Sequence, residues 1–329
     1  MKVGITYDLK GDEPAPLGAP DDFFEEFDAP DTVDAIADVL QGLGHTPIRL
    51  GNGRPLLERL LADPPDFVFN FAEGRGIGRS RESRVPAVLE MLDIPYTGSD
   101  PATLGVALDK DWTKRIVHAA GVRVPRGAVV ARGDDAEAHC HDLTLPLLAK
   151  PVCEGSSKGI RSKCLIEHRD DLAAVVDALA RGYHQSVLVE EFIRGDELTA
   201  GVVGNDPSRV IGVMRVVPKA PTQHFVYSLE VKRDWRNCVD YEAPAKLPPG
   251  ATESVIEAAL KVFRAVGCRD IARLDFRLRD GVPFFIEINP LPGLNPQTGD
   301  LILLAKGHGM TYSELIGSIL QSARERTGR

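Results

Sequence analysis

At 329 residues, with 43% hydrophobic and 26% charged residues, the chain has the composition of a folded α/β protein of two or three domains, not a disordered or fibrous one. A formal net charge of −9 disfavours a nucleic-acid surface, and no apolar run approaches the roughly 18 residues that would cross a bilayer. Five scattered cysteines, odd in number and without paired spacing, fit neither a zinc site nor a disulfide framework and point to a reducing compartment.

Residues 1–8 lack the charged-then-apolar pattern of a leader and read as a first β-strand, so a cytoplasmic location is expected. Residues 10–20, rich in Pro, Gly and acid, form a loop. Val33, Ile36, Ala37, Leu40 and Leu43 recur at helical spacing, with Asp31 or Thr32 as cap and Gly44 as terminator. Residues 46–50 and 66–71 are two more strands, which predicts a small parallel sheet with covering helices. After the third strand comes "FNFAEGRGIGRSRESRVPA". Glu73 and Gly74 stand at that strand's C-terminal end, where α/β sheets bind ligands, and are expected to bind substrate. The four arginines of this stretch read equally as a solvated loop, with Glu82 opening a helix ahead of "VPAVLEML".

The turn signal "PYTGSDPAT" marks a boundary, and a helix over 109–120 follows. "PRGAVVA", "PLLAKPV" and "SKCLIEH" are short strands, followed by a helix over 170–180 and the apolar strand "SVLVEEFI". Strands over 199–203 and 209–215, a polar stretch over 217–241 and a helix over 254–265 come next. The pair "IARLDFRL" and "FFIEIN" and an amphipathic helix over 312–323 complete the chain. Three α/β lobes are expected: 1–104, 105–189 with a Gly-rich loop, and 190–329.

Three constellations could carry chemistry. Period two places Arg273, Asp275 and Arg277 on one face of their strand, and Phe285, Glu287 and Asn289 on one face of the next. The short "RDG" turn between them predicts a hairpin. Asp275, Glu287 and Asn289 would then converge as an oxygen-only set for Mg²⁺ or Mn²⁺, which implies a nucleotide completing the shell. A solvated strand face with a salt bridge from Arg273 fits the same spacing. In "AKPVCEGSSKGI", Lys150 precedes a Gly-Ser-Ser-Lys-Gly loop whose N–H groups and hydroxyls suit phosphate oxygens, although a plain flexible loop reads as well. In "SVLVEEFIRGDE", Glu190 and Glu191 beside Phe192 and Ile193 suit a nucleoside, or merely cap an edge strand.

Taken in order, Lys150, the Gly-Ser loop, Glu190 to Ile193, Glu197, Arg273-Leu274-Asp275 and Glu287-Ile288-Asn289 resemble the ATP-grasp ligases, and within them the D-alanine–D-alanine ligase family. The resemblance runs from "PYTGSDPATLGVALDKDWTK" to "EINPLPGLNP", well over half the chain. It implies a three-lobed ATP-grasp α/β fold with an N-terminal parallel α/β (preATP-grasp) domain. It also implies a place in peptidoglycan synthesis, small amino-acid substrates and a homodimer. The activity implied is ATP-dependent joining of a carboxylate to an amine through an acyl phosphate, with two Mg²⁺ ions at Asp275, Glu287 and Asn289. By the same resemblance Lys110 and Lys150 hold the ATP phosphates, and Ser156 and Ser157 belong to the mobile Gly-rich loop. Glu190, Glu191, Phe192 and Ile193 surround the adenine, Glu197 binds the ribose, and Lys232 closes over the γ-phosphate. Arg273 and Gly293 stand beside the tetrahedral intermediate.

The departures surround the amino-acid substrates. The family's Ser-any-Glu after the first strand is replaced by "YDLKGDEPAPLG", where Glu13 stands near but is followed by Pro. Glu73-Gly74 occupies the place of a His-Gly. Thr298, with Asn295 nearby, stands for the serine that binds the acceptor's carboxylate. Arg233 replaces an aromatic residue beside the catalytic lysine and so removes a link in the network expected around Ser156. A ligase joining other amino acids, and a non-catalytic ATP-binding protein, remain as alternatives at this point.

Overall fold

The computed structural model describes residues 1–11 and 14–329, so Glu13 lies outside the described residues. The first part of the chain gives β1 (Lys2–Thr6), α1 (Pro30–Gly42), β2 (Thr46–Arg49), α2 (Gly53–Ala62), β3 (Phe67–Asn70), α3 (Arg84–Met91), α4 (Pro101–Leu108) and α5 (Lys110–Ala119). The strands form the parallel sheet that the sequence predicts, in the order β2-β1-β3. Pro30 sits in the first turn of α1, where its missing N–H costs nothing. Ala29 is therefore the N-cap, and Asp31 and Thr32 lie inside the helix rather than capping it. Leu43, 48% exposed, falls outside the buried face, and Gly44 turns the chain with φ +82°.

The middle of the chain gives β4 (Gly127–Val130), α6 (Ala136–Cys140), β5 (Leu147–Pro151), β6 (Leu165–Ile166), α7 (Leu172–Tyr183) and β7 (Val187–Glu191). These strands form an antiparallel sheet, β4-β7-β5-β6, with Val130, Leu147, Val176 and Val187 in the core between it and its helices. The remainder is β8 (Asp196–Val203), β9 (Arg209–Pro218), α8 (Leu229–Arg233), α9 (Trp235–Cys238), β10 (Val239–Glu242), α10 (Ala251–Val266), β11 (Ile271–Arg279), β12 (Val282–Asn289), α11 (Asp300–Gly307) and α12 (Tyr312–Thr327). Its antiparallel sheet has the order β10-β9-β8-β11-β12.

Packing crosses the order of the chain. Val117 of α5 and Ala107 of α4 share a core with Val255, Phe263, Leu274 and Phe285 of the five-stranded sheet and α10. At the other end, α11 and α12 return to the first sheet, where Leu301, Leu315 and Ile319 pack with Ile5, Ile36 and Phe69. Among the described residues no helix is long and apolar enough to cross a membrane.

Candidate active site

β11 and β12 pair antiparallel through a turn at Asp280 and Gly281, both with positive φ, a two-residue connection that matches the twist of a hairpin. Asp275 lies opposite Glu287, and Arg273 opposite Asn289, so the two carboxylates come together, while Asn289 stands two residues on with its Oδ1 accepting from the Leu291 N–H at 3.0 Å. The register shifts between Asp275 and Phe276, pairing Phe276 with Phe285. Ile286 is the extra residue of this bulge and lines the cleft, whereas Phe285 is fully buried against Phe276 in the core behind the sheet. The expectation that Phe285 shares a face with Glu287 is therefore corrected: the bulge reverses the alternation between them.

Arg273 donates to Asp275 Oδ2 from Nε at 3.2 Å and Nη2 at 2.9 Å, and it reaches Glu287 Oε1 at 3.5 Å and Asp300 Oδ2 at 3.7 Å. Burial pushes the Asp275 carboxyl up to about 6, with Arg273 opposing and Glu287 adding to the rise. Burial acts on Glu287 too, but Lys110 and Arg273 outweigh it and hold that carboxyl far below its usual range. A carboxyl raised by burial beside a like charge is what a divalent cation would relieve, and the oxygen donors suit a hard ion. Among the described residues no group of three or more His, Cys, Asp or Glu side chains is arranged to hold a metal. Two carboxylates and the Asn289 amide would need water and phosphate oxygens to complete a shell.

The hairpin forms one wall of a cleft of about 640 Å³, whose other wall is the four-stranded sheet. Lys150, Ser157, Glu190, Phe192, Ile193 and Glu197 line it, joined by Glu191, Lys232, Asp275 and Glu287. The sequence read these positions separately, and the fold brings them together. Glu190 sits between two cations, accepting from Lys114 at 2.5 Å and Lys150 at 2.6 Å. Burial alone would raise Glu190, but the two lysines hold it below its ordinary value. Burial also pushes Lys114 down to about 8 against the pull of Glu190. The Glu191 side chain accepts from the Thr144 N–H at 2.9 Å and lies 3.6 Å from Arg126. Ser157 donates to the Tyr227 carbonyl at 3.3 Å, and the Lys232 ammonium lies 4.9 Å from the centre of the Tyr227 ring.

Sequence reasoning placed Arg277 on the right face but gave it no part. It pairs with Glu197, donates to the carbonyls of Ile193 and Phe225 at 2.9 Å each, and lies over the Phe192 ring at 4.6 Å. One guanidinium thus fixes three of the positions expected to hold the nucleoside.

A second, smaller cavity adjoins the hairpin, lined by Glu26, Glu73, Glu82, Lys110, Glu154, Gly155, Ser156, Glu287 and Asn289. Lys110 pairs with Glu287 at 3.3 Å and also donates to the Glu154 carbonyl. Of the four arginines, Arg79 and Arg84 are exposed and Arg75 is half-buried, as a solvated loop would have them, but Arg81 is not. Arg81 is 1% exposed and donates to Glu26 at 2.6 Å, to Glu154 at 3.3 Å and to the Cys153 carbonyl at 2.8 Å. Lys158 completes the cluster, 3.1 Å from Glu26 and 2.6 Å from Glu154. Glu82 is buried ahead of α3 and does not open that helix, whose N-cap is Ser83. Gly74 donates its N–H to Asp8 at 2.9 Å, and at φ +80° a Cβ there would lie 2.3 Å from the Arg81 carbonyl oxygen. It turns the chain so that Glu73 points into the cavity.

Residues 21–26 fold back over the Gly-rich loop, which the composition of the preceding loop did not reveal. Glu26 accepts from the Gly155 N–H at 2.5 Å, and Asp22 from Gly159 N–H at 3.0 Å and Tyr183 at 2.7 Å. Arg233, in place of the expected aromatic residue, reaches Asp21 and Glu25 at 2.9 Å each, so the segment carrying Lys232 is tied to the same stretch. The acceptor positions stand apart from both cavities. Gly293 is exposed with open space where a Cβ would lie. Asn295 donates to Thr32 at 3.1 Å and accepts from the N–H and hydroxyl of Thr298, each at 3.1 Å. Neither Asn295 nor Thr298 is brought against the hairpin.

The family model of the D-ala D-ala ligase C-terminus matches residues 116–321. An uncharacterized protein, y4sG, of Sinorhizobium fredii is 34% identical over 89% of this chain and 87% of its own length. The D-alanine–D-alanine ligase of Aquifex aeolicus is 33% identical, with 87% of this chain and 92% of that protein covered. In fold, the chain resembles the Bacillus anthracis D-alanine–D-alanine ligase solved in complex with ATP, with a TM-score of 0.76 at 21% identity, covering 100% of this chain and 99% of that one. The matched model, the relatives and the three-lobed ATP-grasp architecture agree: the chain belongs to the D-alanine–D-alanine ligase family of ATP-dependent, amide-forming ligases.

Proposed function

We propose that the large cleft takes ATP and that the hairpin positions it to activate an amino-acid carboxylate. The observation that carries this reading is Asp275 opposite Glu287, with Asn289 two residues on, at the edge of a cleft lined by Lys150 and Lys232. In this reading Phe192, Ile193, Glu190 and Glu191 surround the base, Glu197 takes the ribose, and Arg277 positions this group. Lys110, Lys150 and Lys232 face the phosphates, with Ser156 and Ser157 in the loop above them. Asp275, Glu287 and Asn289 would hold Mg²⁺, or Mn²⁺, two ions in the family pattern, which when bound neutralises charge on the transferring phosphoryl group.

The substrate carboxylate attacks the γ-phosphorus, the bond to the bridging oxygen of ADP breaks, and an acyl phosphate forms. An amine then attacks the acyl carbon, and inorganic phosphate leaves with one oxygen of the original carboxylate. Arg273, buried and aimed at the hairpin acids, is placed to stabilise the oxyanion of that adduct, and Gly293 falls to the same intermediate by the family pattern. The clasp of residues 21–26 on both loops excludes water from the acyl phosphate. Glu73 and Gly74 fall to the first substrate, and Asn295 and Thr298 to the acceptor, whose approach requires the turn at 295–298 to move toward the hairpin. D-Alanine on both sides is the first pair to test, in a cytoplasmic homodimer. Phosphate release from ATP and Mg²⁺ on adding D-alanine supports the reading, and no release with any amino-acid pair refutes it.

A second reading, in which the enzyme joins other amino acids, is favoured by the buried acids around Glu73. Release confined to non-alanine pairs would select it.

A further inference from the structure

The small cavity beside the hairpin carries more negative charge than its cations neutralise. Glu26 and Glu154 are matched by Arg81 and Lys158, and Glu287 by Lys110 and Arg273. Glu73 and Glu82 line the same space, 9% and 6% exposed, and neither side chain has a hydrogen-bond or ion-pair partner among the described residues. Arg81 lies near enough to act on both and Lys110 on Glu82, but neither bonds them, and buried carboxyl groups without a bonded partner are seldom kept without a ligand to meet them. Burial, reinforced by neighbouring acids, raises Glu73 well above its ordinary value, and burial raises Glu82 to about 7. The cavity they border is about 380 Å³, against about 640 Å³ for the large cleft. Glu287 and Asn289 line it too, so a cation held there sits next to the carboxylate being activated.

We propose that Glu73 and Glu82 form a cation subsite, and that the carboxylate substrate carries a side-chain amino group besides its α-amino group: it is a short diamino acid. This rests on the ligase reading above. One α-ammonium meets one of the two unbonded carboxyl groups, and a second ammonium meets the other. The place of this cavity directly beside Glu287 and Asn289, next to the carboxylate being activated, favours a short side chain. The sites of Arg81 and Gly74 support the subsite from behind: Arg81 fixes the neighbouring acids, and the left-handed turn at Gly74 aims Glu73 inward.

The test is phosphate release from ATP and Mg²⁺ with alanine, 2,3-diaminopropionate, 2,4-diaminobutyrate or ornithine, in both stereochemical forms, as the activated substrate. The expected result is a kcat/KM for a short diamino acid about tenfold or more above that of alanine. Glu73→Gln and Glu82→Gln keep the side-chain shape, and each should reduce that preference about tenfold or more, chiefly through KM. Alanine preferred, with a ratio neither variant moves, overturns the inference and leaves the ligase reading standing. Calorimetric titration of the wild-type protein with 2,4-diaminobutyrate in the presence of ADP and Mg²⁺ supplies a readout without turnover. Binding that either variant weakens supports the subsite even if no acceptor is found, and no binding overturns it. No phosphate release with any of these acids or with any amino-acid pair refutes the ligase reading instead.

Discussion

Replacing Arg81 by Met removes a charge from a deeply enclosed ionic cluster while filling much of the same space. Arg81 leads the fully buried side chains in volume, and its guanidinium bonds two carboxylates and a carbonyl. In Arg81→Met, Glu26 and Glu154 share Lys158 alone. Breaking one side of a buried ion pair leaves an uncompensated charge and costs about 3–5 kcal/mol, a large part of the roughly 5–15 kcal/mol that holds a domain folded. The sign with pH follows from Glu26. Burial raises its carboxyl, but Arg81 and Lys158 outweigh burial and depress it below 4.5 in the folded protein. Its contribution is therefore present above pH 4.5 and is lost as pH falls through the folded value. Urea unfolding followed by circular dichroism should show the full loss at about pH 7 and a narrowing gap between variant and wild type below about pH 4. Adding Glu26→Gln should restore part of the stability of Arg81→Met. A loss under about 1 kcal/mol at neutral pH, or a gap constant with pH, would refute the reasoning.

Asp275→Asn and Glu287→Gln should each lower turnover by on the order of 10²–10³-fold or more with the fold intact by circular dichroism, and near-normal rates in both would remove the metal assignment. Arg277→Ala withdraws the guanidinium that holds Glu197 and the Ile193 carbonyl, and it should weaken ATP binding about 10- to 100-fold in an equilibrium titration while the KM of the amino acid stays put. Gly74→Ala meets both a left-handed backbone and a carbonyl 2.3 Å from the new Cβ, so thermal unfolding should register a loss of about 1–3 kcal/mol or more.

Local signals were legible where the physics is local. Alternation placed Asp275, Glu287 and Asn289 on the cleft side because each strand is short and its turn chemistry fixes the register. The bulge at Ile286 left no mark, since Phe285 and Ile286 are both apolar and either could face the core. α4 was present in the text as a Pro in its first turn and an Asp100 side chain that accepts the Thr103 N–H at 2.8 Å, yet the same residues read as a turn. Glu26 and Arg81 are separated by 55 residues, and their bond has no periodicity to announce it. The same holds for Arg277, whose face was evident but whose partner is a carbonyl 84 residues away. The acids Glu73 and Glu82 were visible as letters. Their lack of a bonded partner became visible only once the bonds of the arginines between and beside them were seen to go elsewhere.

An acyl-phosphate route passes one carboxylate oxygen to phosphate during amide formation. The direct measurement uses an accepted amino acid labelled with heavy oxygen in its carboxylate, together with ATP, Mg²⁺ and the acceptor amine, and weighs the released phosphate by mass spectrometry. ADP and a phosphate carrying one heavy oxygen for each amide formed are expected. Unlabelled phosphate, or AMP with pyrophosphate in its place, would contradict that route.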